Sequence, residues 1–383
     1  MYNPTHRFDT STEAPKTTDP TIGWEYESPQ EAGVGVSDVL AVWDDSVYIP
    51  LSDRIVSIDQ DGAVQWRFQT DAALPAKTTS PAVVDGTVYT GCTDKHVYAL
   101  DADCGTEQWR FQTDGAVHTS PAVVDGTVYV GSENNHVYAL DADSGLKQWH
   151  FQIDLAYARC PTSPAVVDSF VYIGSVDHIY ALDANSGVEQ WRFQTDGWTA
   201  VSPTVVDGTV YTGCTDKHVY ALDATCGTEK WRFRLDESMR SSPAVMDGII
   251  YVVDRNQVYA LDANTGTIQW ASNLDRNHYE PVVADSTVYI AGDRLVQALD
   301  ANTGTQQWVF EPPGLGHGVT PPTVRDGTIY IGSGNDSGTD TVYALGVGDD
   351  RVDAQAGQLN RDENAGTGTD VSREETEQPE TKP

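Results

Sequence analysis

Short apolar segments separated by polar turns recur along the chain at a period of about forty residues. In the copy at residues 119–154, strands are predicted at residues 121–124, 127–130, 136–140 and 148–152. Asp125-Gly126, between the first two, is the dipeptide typical of a tight hairpin whose backbone needs positive φ. Each copy therefore predicts four short antiparallel strands, which we call A to D.

Two aromatic positions mark the copies. Strand B contains Val-Tyr or Ile-Tyr, with the tyrosines Tyr48, Tyr89, Tyr129, Tyr172, Tyr211, Tyr251, Tyr289 and Tyr330. Strand D opens with a tryptophan, at Trp24, Trp66, Trp109, Trp149, Trp191, Trp231, Trp270 and Trp308. Four strands repeated eight times, without a helical pattern, predict an all-β, eight-bladed β-propeller of four-stranded antiparallel blades.

The two ends of the chain each supply part of one repeat. The last repeat supplies strands A to C but no tryptophan, whereas Trp24 has no strands A to C before it. We therefore predict that the N-terminal strand completes the last blade and closes the ring, which removes exposed sheet edges. The propeller is predicted over residues 22–346. Residues 1–21 are expected to form an extended or disordered lead-in, and residues 347–383 a disordered acidic tail.

The turn before each tryptophan has a fixed pattern, seen in Ala139, Asp141, Gly145 and Trp149. The aspartate can accept bonds from backbone N–H groups in the turn, and the glycine can adopt positive φ. We expect the tryptophan to dock on the neighbouring blade, with the small alanine letting the indole lie flat. All eight tryptophans are thus predicted to be structural.

This pattern resembles the tryptophan-docking motif of quinoprotein-type propellers, the PQQ-like repeat family, which includes haloarchaeal-type repeat proteins. Six units carry it: Ala99/Asp101/Gly105/Trp109, Ala139/Asp141/Gly145/Trp149, Ala181/Asp183/Gly187/Trp191, Ala221/Asp223/Gly227/Trp231, Ala260/Asp262/Gly266/Trp270 and Ala298/Asp300/Gly304/Trp308. The likeness covers roughly residues 22–346. It implies the fold and leaves activity open, because the family includes quinone-dependent dehydrogenases and an outer-membrane barrel-assembly lipoprotein.

For the dehydrogenases, the resemblance implies PQQ held between a tryptophan and a disulfide of adjacent cysteines, with calcium and an aspartate base. This sequence has no adjacent cysteine pair, and its repeats are compact. We therefore predict a non-catalytic binding or assembly scaffold without a cofactor. The alternatives are a PQQ- and calcium-dependent dehydrogenase-type quinoprotein and a sensory or cell-surface interaction domain.

The loops from strand D to the next strand A are where the repeats differ most. They carry basic and aromatic residues that we predict to line a channel mouth: Lys77, His118, Arg159, Trp198, Arg240, His278, Tyr279 and His317. Such a mouth would take a protein partner or a small ligand, including an anion. The alternative is that these loops vary because nothing constrains them.

Two other groups are predicted not to bind metal. His96, His136, His178 and His218 recur at the start of strand C, but equivalent positions in different blades cannot converge on one ion. The turn that begins at Asp101 resembles a calcium loop, yet Gln112 stands where its last carboxylate is needed. The five cysteines are expected to be free thiols, since Cys92 and Cys214 fill a slot that other repeats fill with serine.

The net charge limits the classes of partner that the protein can bind. The chain has 57 acidic and 23 basic side chains, a formal net charge of −34, so it should repel nucleic acid and anionic lipid. No apolar run could span a membrane and the first residues do not form a signal peptide, so we expect a monomeric, soluble propeller. A longer precursor would point instead to export or the cell surface.

The density of negative charge predicts a halophilic protein. Repulsion among carboxylates should fall in concentrated salt, because the Debye length shrinks to about 3 Å at 1 M. We expect the melting temperature to rise between about 0.1 M and 3 M KCl. A melting temperature that stays flat over this range would contradict the screening explanation.

Overall fold

The chain folds into eight antiparallel sheets. The computed structural model describes residues 19–28, 39–71, 79–153, 161–199, 201–239, 241–274, 278–313, 315–335 and 340–346, and every regular element among them is a β-strand. Each sheet contains strands A, B, C and D in that order. The predicted eight-bladed β-propeller is confirmed, whereas the expected tail and nearly all of the expected lead-in lie outside the described residues.

The blades are numbered 1 to 8 from the one that contains Tyr48. Strands A are β2 (Ala41–Trp43), β6 (Ala82–Val84), β10 (Ala122–Val124), β14 (Ala165–Val167), β18 (Thr204–Val206), β22 (Ala244–Met246), β26 (His278–Ala284) and β31 (Thr323–Arg325). Strands B are β3 (Ser46–Pro50), β7 (Thr87–Gly91), β11 (Thr127–Ser132), β15 (Phe170–Ser175), β19 (Thr209–Gly213), β23 (Ile249–Val253), β27 (Thr287–Gly292) and β32 (Thr328–Asn335).

Strands C are β4 (Arg54–Asp59), β8 (His96–Asp101), β12 (His136–Asp141), β16 (His178–Asp183), β20 (His218–Asp223), β24 (Gln257–Asp262), β28 (Val296–Asp300) and β33 (Asp340–Gly346). Strands D are β5 (Val64–Gln69), β9 (Glu107–Gln112), β13 (Lys147–Gln152), β17 (Glu189–Gln194), β21 (Glu229–Arg234), β25 (Ile268–Asn273), β29 (Gln306–Phe310) and β1 (Thr21–Glu27). Blade 8 has one additional strand, β30 (Leu315–Val319), which pairs with β32.

The ring closes through the N-terminal strand. β1 pairs antiparallel with β33, placing Trp24 opposite Ala344, so the outer strand of blade 8 comes from the start of the chain. Strands A lie innermost, since each contacts strand A of the next blade all the way round. Between blades 8 and 1, the Thr323 hydroxyl donates to the Leu40 carbonyl at 2.8 Å. The predicted closure is confirmed.

The predicted turns form as the sequence indicated. In blade 3, Asp125 and Gly126 have φ of 48° and 72°, as the tight hairpin between β10 and β11 requires. In the turn between β12 and β13, Asp141 Oδ1 accepts from the Ser144 backbone N–H at 2.9 Å and from its hydroxyl at 2.6 Å. These bonds lower the pKa of Asp141, so the turn is held by an ionised carboxylate.

Seven of the eight repeat tryptophans, all except Trp308, lie on the glycine of the C–D turn in the next blade. The indole Nε1–H of Trp109 donates to the Ala142 carbonyl at 2.8 Å, and the Tyr89 hydroxyl of the same blade donates to that carbonyl at 3.2 Å. Gly145 lies under the indole: a Cβ there would come within 2.6 Å of Trp109. The same indole–carbonyl bond joins six pairs: Trp66–Ala102, Trp109–Ala142, Trp149–Ala184, Trp191–Ala224, Trp231–Ala263 and Trp270–Ala301.

The surface that receives the indole differs from the one expected. Ala99, the first residue of its unit, faces Trp109 across the strands of the same blade, whereas the flat platform is Gly145 of the following blade. The glycine therefore serves two purposes, since it also adopts φ of 68° in the turn. Trp24 lies over Gly62 in the same way and so links blade 8 to blade 1.

The hydrophobic core consists of eight clusters, one between each pair of neighbouring blades. Between blades 2 and 3, Tyr89, Val97 and Trp109 pack against the opposing face of Val128 and Tyr138. The cluster between blades 8 and 1 joins Tyr330 to Ile49 and Leu51. The core is thus a ring of sheet-on-sheet contacts, and the stability of each blade depends on its neighbours.

Substitutions at two glycines of blade 3 can distinguish the energetic cost of lost packing from the cost of backbone strain. Both Gly126 and Gly145 have positive φ, but a Cβ at Gly126 would meet nothing within 4 Å. We expect Gly126→Ala to lower the free energy of unfolding by about 1–2 kcal/mol through strain alone. Gly145→Ala should cost a further ~1–3 kcal/mol, because it also displaces Trp109. Urea unfolding at fixed salt measures the difference, and equal losses would show that the indole platform does not matter.

Candidate functional site

The D–A and B–C connections share one end of the ring, since strands in each blade alternate in direction. We call this end the loop face. The opposite end carries the A–B hairpins and the C–D turns, which are built alike from blade to blade. The predicted mouth belongs to the loop face, where the repeats differ in sequence.

The structure places the eight predicted mouth residues unequally. Lys77, Arg159 and Arg240 lie outside the described residues. His278 and Tyr279 begin β26, and His317 lies in β30, so these three are on strands rather than in loops; their side chains are not among those described. The cause is extra pairing, because His278 is opposite Gly292 and His317 is opposite Gly334. His118 and Trp198 remain as side chains whose surroundings are defined.

His118 is paired with an acid. Its Nε2 lies 2.9 Å from Oε1 of Glu133, in the loop between β11 and β12, and both side chains are exposed. A protonated imidazole here is offset by the neighbouring carboxylate. His118 therefore adds little net positive charge to the loop face, and an anion-binding mouth stays a prediction that rests on the other basic residues.

Trp198 projects from an anchored loop. Its backbone N–H donates to the Thr215 hydroxyl at 2.8 Å, and its carbonyl accepts from the Thr215 N–H at 2.9 Å. In the D–A connection between blades 2 and 3, the Ala116 carbonyl accepts from the Glu133 N–H at 2.9 Å. Trp198 thus occupies the position of Ala116, two residues before that of His118. Its indole is 40% exposed, although the backbone beneath it is fixed.

Close packing fixes the path of the D–A loops. The Val117 side chain lies against Gly91 at the end of β7, and Met239 lies in the same way against Gly213. A side chain at either glycine would overlap these residues. Met239 is fully buried, so this part of the loop belongs to the core while the residues beside it face outward. Val117 and Met239 therefore hold these two D–A connections against the end of strand B.

A row of serines lines the inner edge of blades 2 to 6 at this end, which sequence reasoning missed. A serine precedes proline just before strand A in five blades, at Ser80, Ser120, Ser163, Ser202 and Ser242. The backbone N–H of Ser120 donates to the Ser163 hydroxyl at 3.0 Å, and that of Ser163 donates to the Ser202 hydroxyl at 3.2 Å. The repeated Ser-Pro pair was the available signal, and its role becomes visible only once strands A are known to be innermost.

Blade 7 has a carboxylate at the position that blades 2 to 6 fill with serine. The Ser242 N–H donates to Oε1 of Glu280 at 3.2 Å, as the N–H groups of Ser120 and Ser163 donate to the next serine hydroxyl. Glu280 therefore places one negative charge near the axis, and we derive no catalytic step through PQQ.

Polar groups in the B–C connections are engaged in structural bonds. The Tyr98 hydroxyl donates to Asp94 at 2.6 Å, and the Tyr259 hydroxyl donates to Asp254 at 3.3 Å. Burial raises the pKa of Tyr98 well above its ordinary value, and the bond to Asp94 raises it further. These phenols therefore stay protonated, and the pairs hold the connection in place.

The strand-C histidines lie one per blade, at the starts of β8, β12, β16 and β20. Over the described ranges, no group of three or more His, Cys, Asp or Glu side chains is placed to hold a metal ion. Cys92 and Cys214 are buried free thiols, and Cys104 and Cys226 are exposed ones. Burial raises the pKa of Cys92 to about 11, so that thiol is neutral. Cys160 lies outside the described residues.

Comparisons with known proteins agree with the geometry. A family model described as outer membrane protein assembly factor BamB matches residues 51–175, 154–241, 175–295 and 215–358. The crystal structure of BamB from Moraxella catarrhalis is 19% identical, with a TM-score of 0.71 over 85% of this chain and 99% of that one. Quinohemoprotein alcohol dehydrogenase from Comamonas testosteroni is 16% identical, with a TM-score of 0.68 over 87% of this chain and 77% of that one.

These identities show a shared fold and nothing finer. A sequence comparison with curated proteins finds no significant match. Among the described residues, no helix is long and apolar enough to cross a membrane.

Proposed function

Since the chain belongs to the PQQ-like repeat family whose model is described as outer membrane protein assembly factor BamB, we propose that it is a non-catalytic scaffold. Its loop face would bind a protein partner and hold it for assembly. The observation that carries this proposal is Trp198, a large apolar side chain that is 40% exposed on a fixed loop.

The chemistry of Trp198 suits a protein interface. Tryptophan is among the residues that most often dominate binding energy, because it buries a large apolar area and loses little conformational entropy. The loop beneath it is already ordered by its two hydrogen bonds to Thr215, so binding would not have to order it. An anchored, exposed indole is therefore a good centre for a contact.

The repeated residues support a scaffold in a second way. The tryptophans, tyrosines and turn glycines that dominate the pattern contact the neighbouring blade, as Trp109, Tyr89 and Gly145 do. Their chemistry is used for holding blades together. Specific recognition is thus left to the connections of the loop face, where Trp198, His118 and Glu133 differ from their counterparts in other blades.

Net charge describes the partner further. With a formal net charge of −34, the protein attracts basic surfaces and repels acidic ones. Glu133 and Glu280, two of the described acids of the loop face, agree with that sign. We therefore propose a protein partner with a basic or neutral contact surface, and neither nucleic acid nor anionic membrane as the ligand.

Photo-crosslinking from the two faces tests the proposal. A photoreactive amino acid replaces Trp198 on the loop face or, as the control, Leu146 in the C–D turn of the opposite face, which is 70% exposed. We expect one partner to crosslink in cells from position 198 and not from position 146. With that partner purified, Trp198→Ala should weaken binding at least ~10-fold while the melting temperature stays unchanged.

Two results would contradict the scaffold. Equal crosslinking of the same protein from both positions would remove the loop face as the binding surface. Alcohol oxidation by the purified protein after addition of PQQ and calcium would show that it is catalytic.

A further inference from the structure

Blade 3 brings two imidazoles together on one face of its outer strands. His136 begins β12 and His150 lies in β13, with ring centroids 5.4 Å apart and planes inclined by 35°. Tyr138 is directly opposite His150 in the register, so His136 is the diagonal neighbour of His150. The two rings also pack on Tyr138, at centroid distances of 5.8 and 6.1 Å.

The separation suits a shared metal ion. Two imidazoles on one tetrahedral ion have centroids about 5 Å apart, because each metal–nitrogen bond is about 2 Å long. Nδ1 of His136 lies 2.9 Å from the Asn134 carbonyl and must donate to it. That bond leaves Nε2 with its lone pair, which is how a metal-binding histidine is normally oriented.

Comparison with the other blades shows that blade 3 differs from them at two positions of strand D, which together produce the histidine pair. In blades 2, 4 and 5 an arginine occupies the position of His150 and pairs with a glutamate three residues earlier: Arg110–Glu107, Arg192–Glu189 and Arg232–Glu229. Blade 3 has Lys147 and His150 at these two positions. The ion pair is lost, and an imidazole takes the place of a guanidinium that cannot bind a cation.

The local charges keep His150 available as a ligand. Burial lowers its pKa, Lys147 and His136 lower it further, and Asp114 acts in the opposite direction. Metal binding requires the neutral form of each imidazole. The net charge of −34 also raises the concentration of cations near the surface.

We propose that His136 and His150 form a chelating site for a divalent transition-metal ion, with water completing the coordination. Nickel and zinc are the ions that imidazole ligands suit. The earlier expectation concerned histidines of different blades, which cannot converge; this pair lies within one blade. A bound ion would join β12 to the edge strand β13 and stabilise blade 3, since it would bind only the folded protein.

Calorimetric titration with Ni²⁺ at pH 7.5 tests the site on the full chain. Nickel is chosen because copper would react with the free thiols. The variants are His150→Arg, the residue of blades 2, 4 and 5, and His136→Gln, the residue that begins strand C in blade 6. We expect one site in the unmodified protein and binding about 10²-fold weaker in either variant, because one imidazole replaces a chelating pair.

Rebuilding the histidine pair in blade 4 tests whether the same geometry creates a metal site there. Arg192→His, made in the His150→Arg protein, places an imidazole on β17 beside His178, in the register that blade 3 uses. It should restore binding to within ~10-fold of the unmodified protein. Equal Ni²⁺ affinity of the unmodified protein and His150→Arg would overturn the proposal. So would failure of this double variant to bind while its melting temperature is unchanged.

Discussion

A backbone carbonyl in each of six C–D turns organises the contact between neighbouring blades. In blade 3 it is the carbonyl of Ala142, which accepts both the Trp109 indole and the Tyr89 hydroxyl of blade 2. Leaving such a buried donor without an acceptor costs roughly 1–3 kcal/mol, so a blade cannot slide or rotate without losing both bonds. Gly145 completes the arrangement because only a residue without Cβ lets the indole lie on the turn. The same indole–carbonyl bond recurs at six interfaces, and β1 closes the ring.

The contacts between blades explain which residues are free to serve a function. Residues at repeated positions are occupied by packing, and the C–D turns that receive them differ little between blades. The loop-face connections contribute less to those interfaces and can vary, as Trp198 in the position of Ala116 shows. Yet two of these connections are held in place, because Val117 and Met239 are buried in the core. A varied but fixed surface is what a binding scaffold needs.

Much of the fold could be predicted by counting copies. The tyrosines of strand B gave eight blades, the divided copy gave the closure, and Asp125-Gly126 gave a hairpin with positive φ. The platform under the indole could not be found in this way, because Gly145 belongs to a different repeat from Trp109. The repeated glycine marked the position, but the pattern within one repeat could not show that it receives the indole of another repeat.

The candidate site was harder to predict for a related reason. The D–A connections lack periodicity, so the sequence could not show that Trp198 and His118 hold different positions, or that His278 lies on a strand. The row of serines, too, becomes visible only once the innermost strand is known. Glu280 in blade 7 accepts from Ser242 as Ser163 and Ser202 accept from their neighbours, and the sequence alone does not show this equivalence.

Hydrogen exchange of the indole Nε1 protons tests most directly whether these contacts unite the blades. Six indoles donate to alanine carbonyls at different interfaces, from Trp66 to Trp270. If the ring opens as one unit, these protons should exchange at similar slow rates that approach the rate set by global unfolding. Exchange at one interface that is faster by orders of magnitude than at the others would show that blades open independently, and would contradict the account.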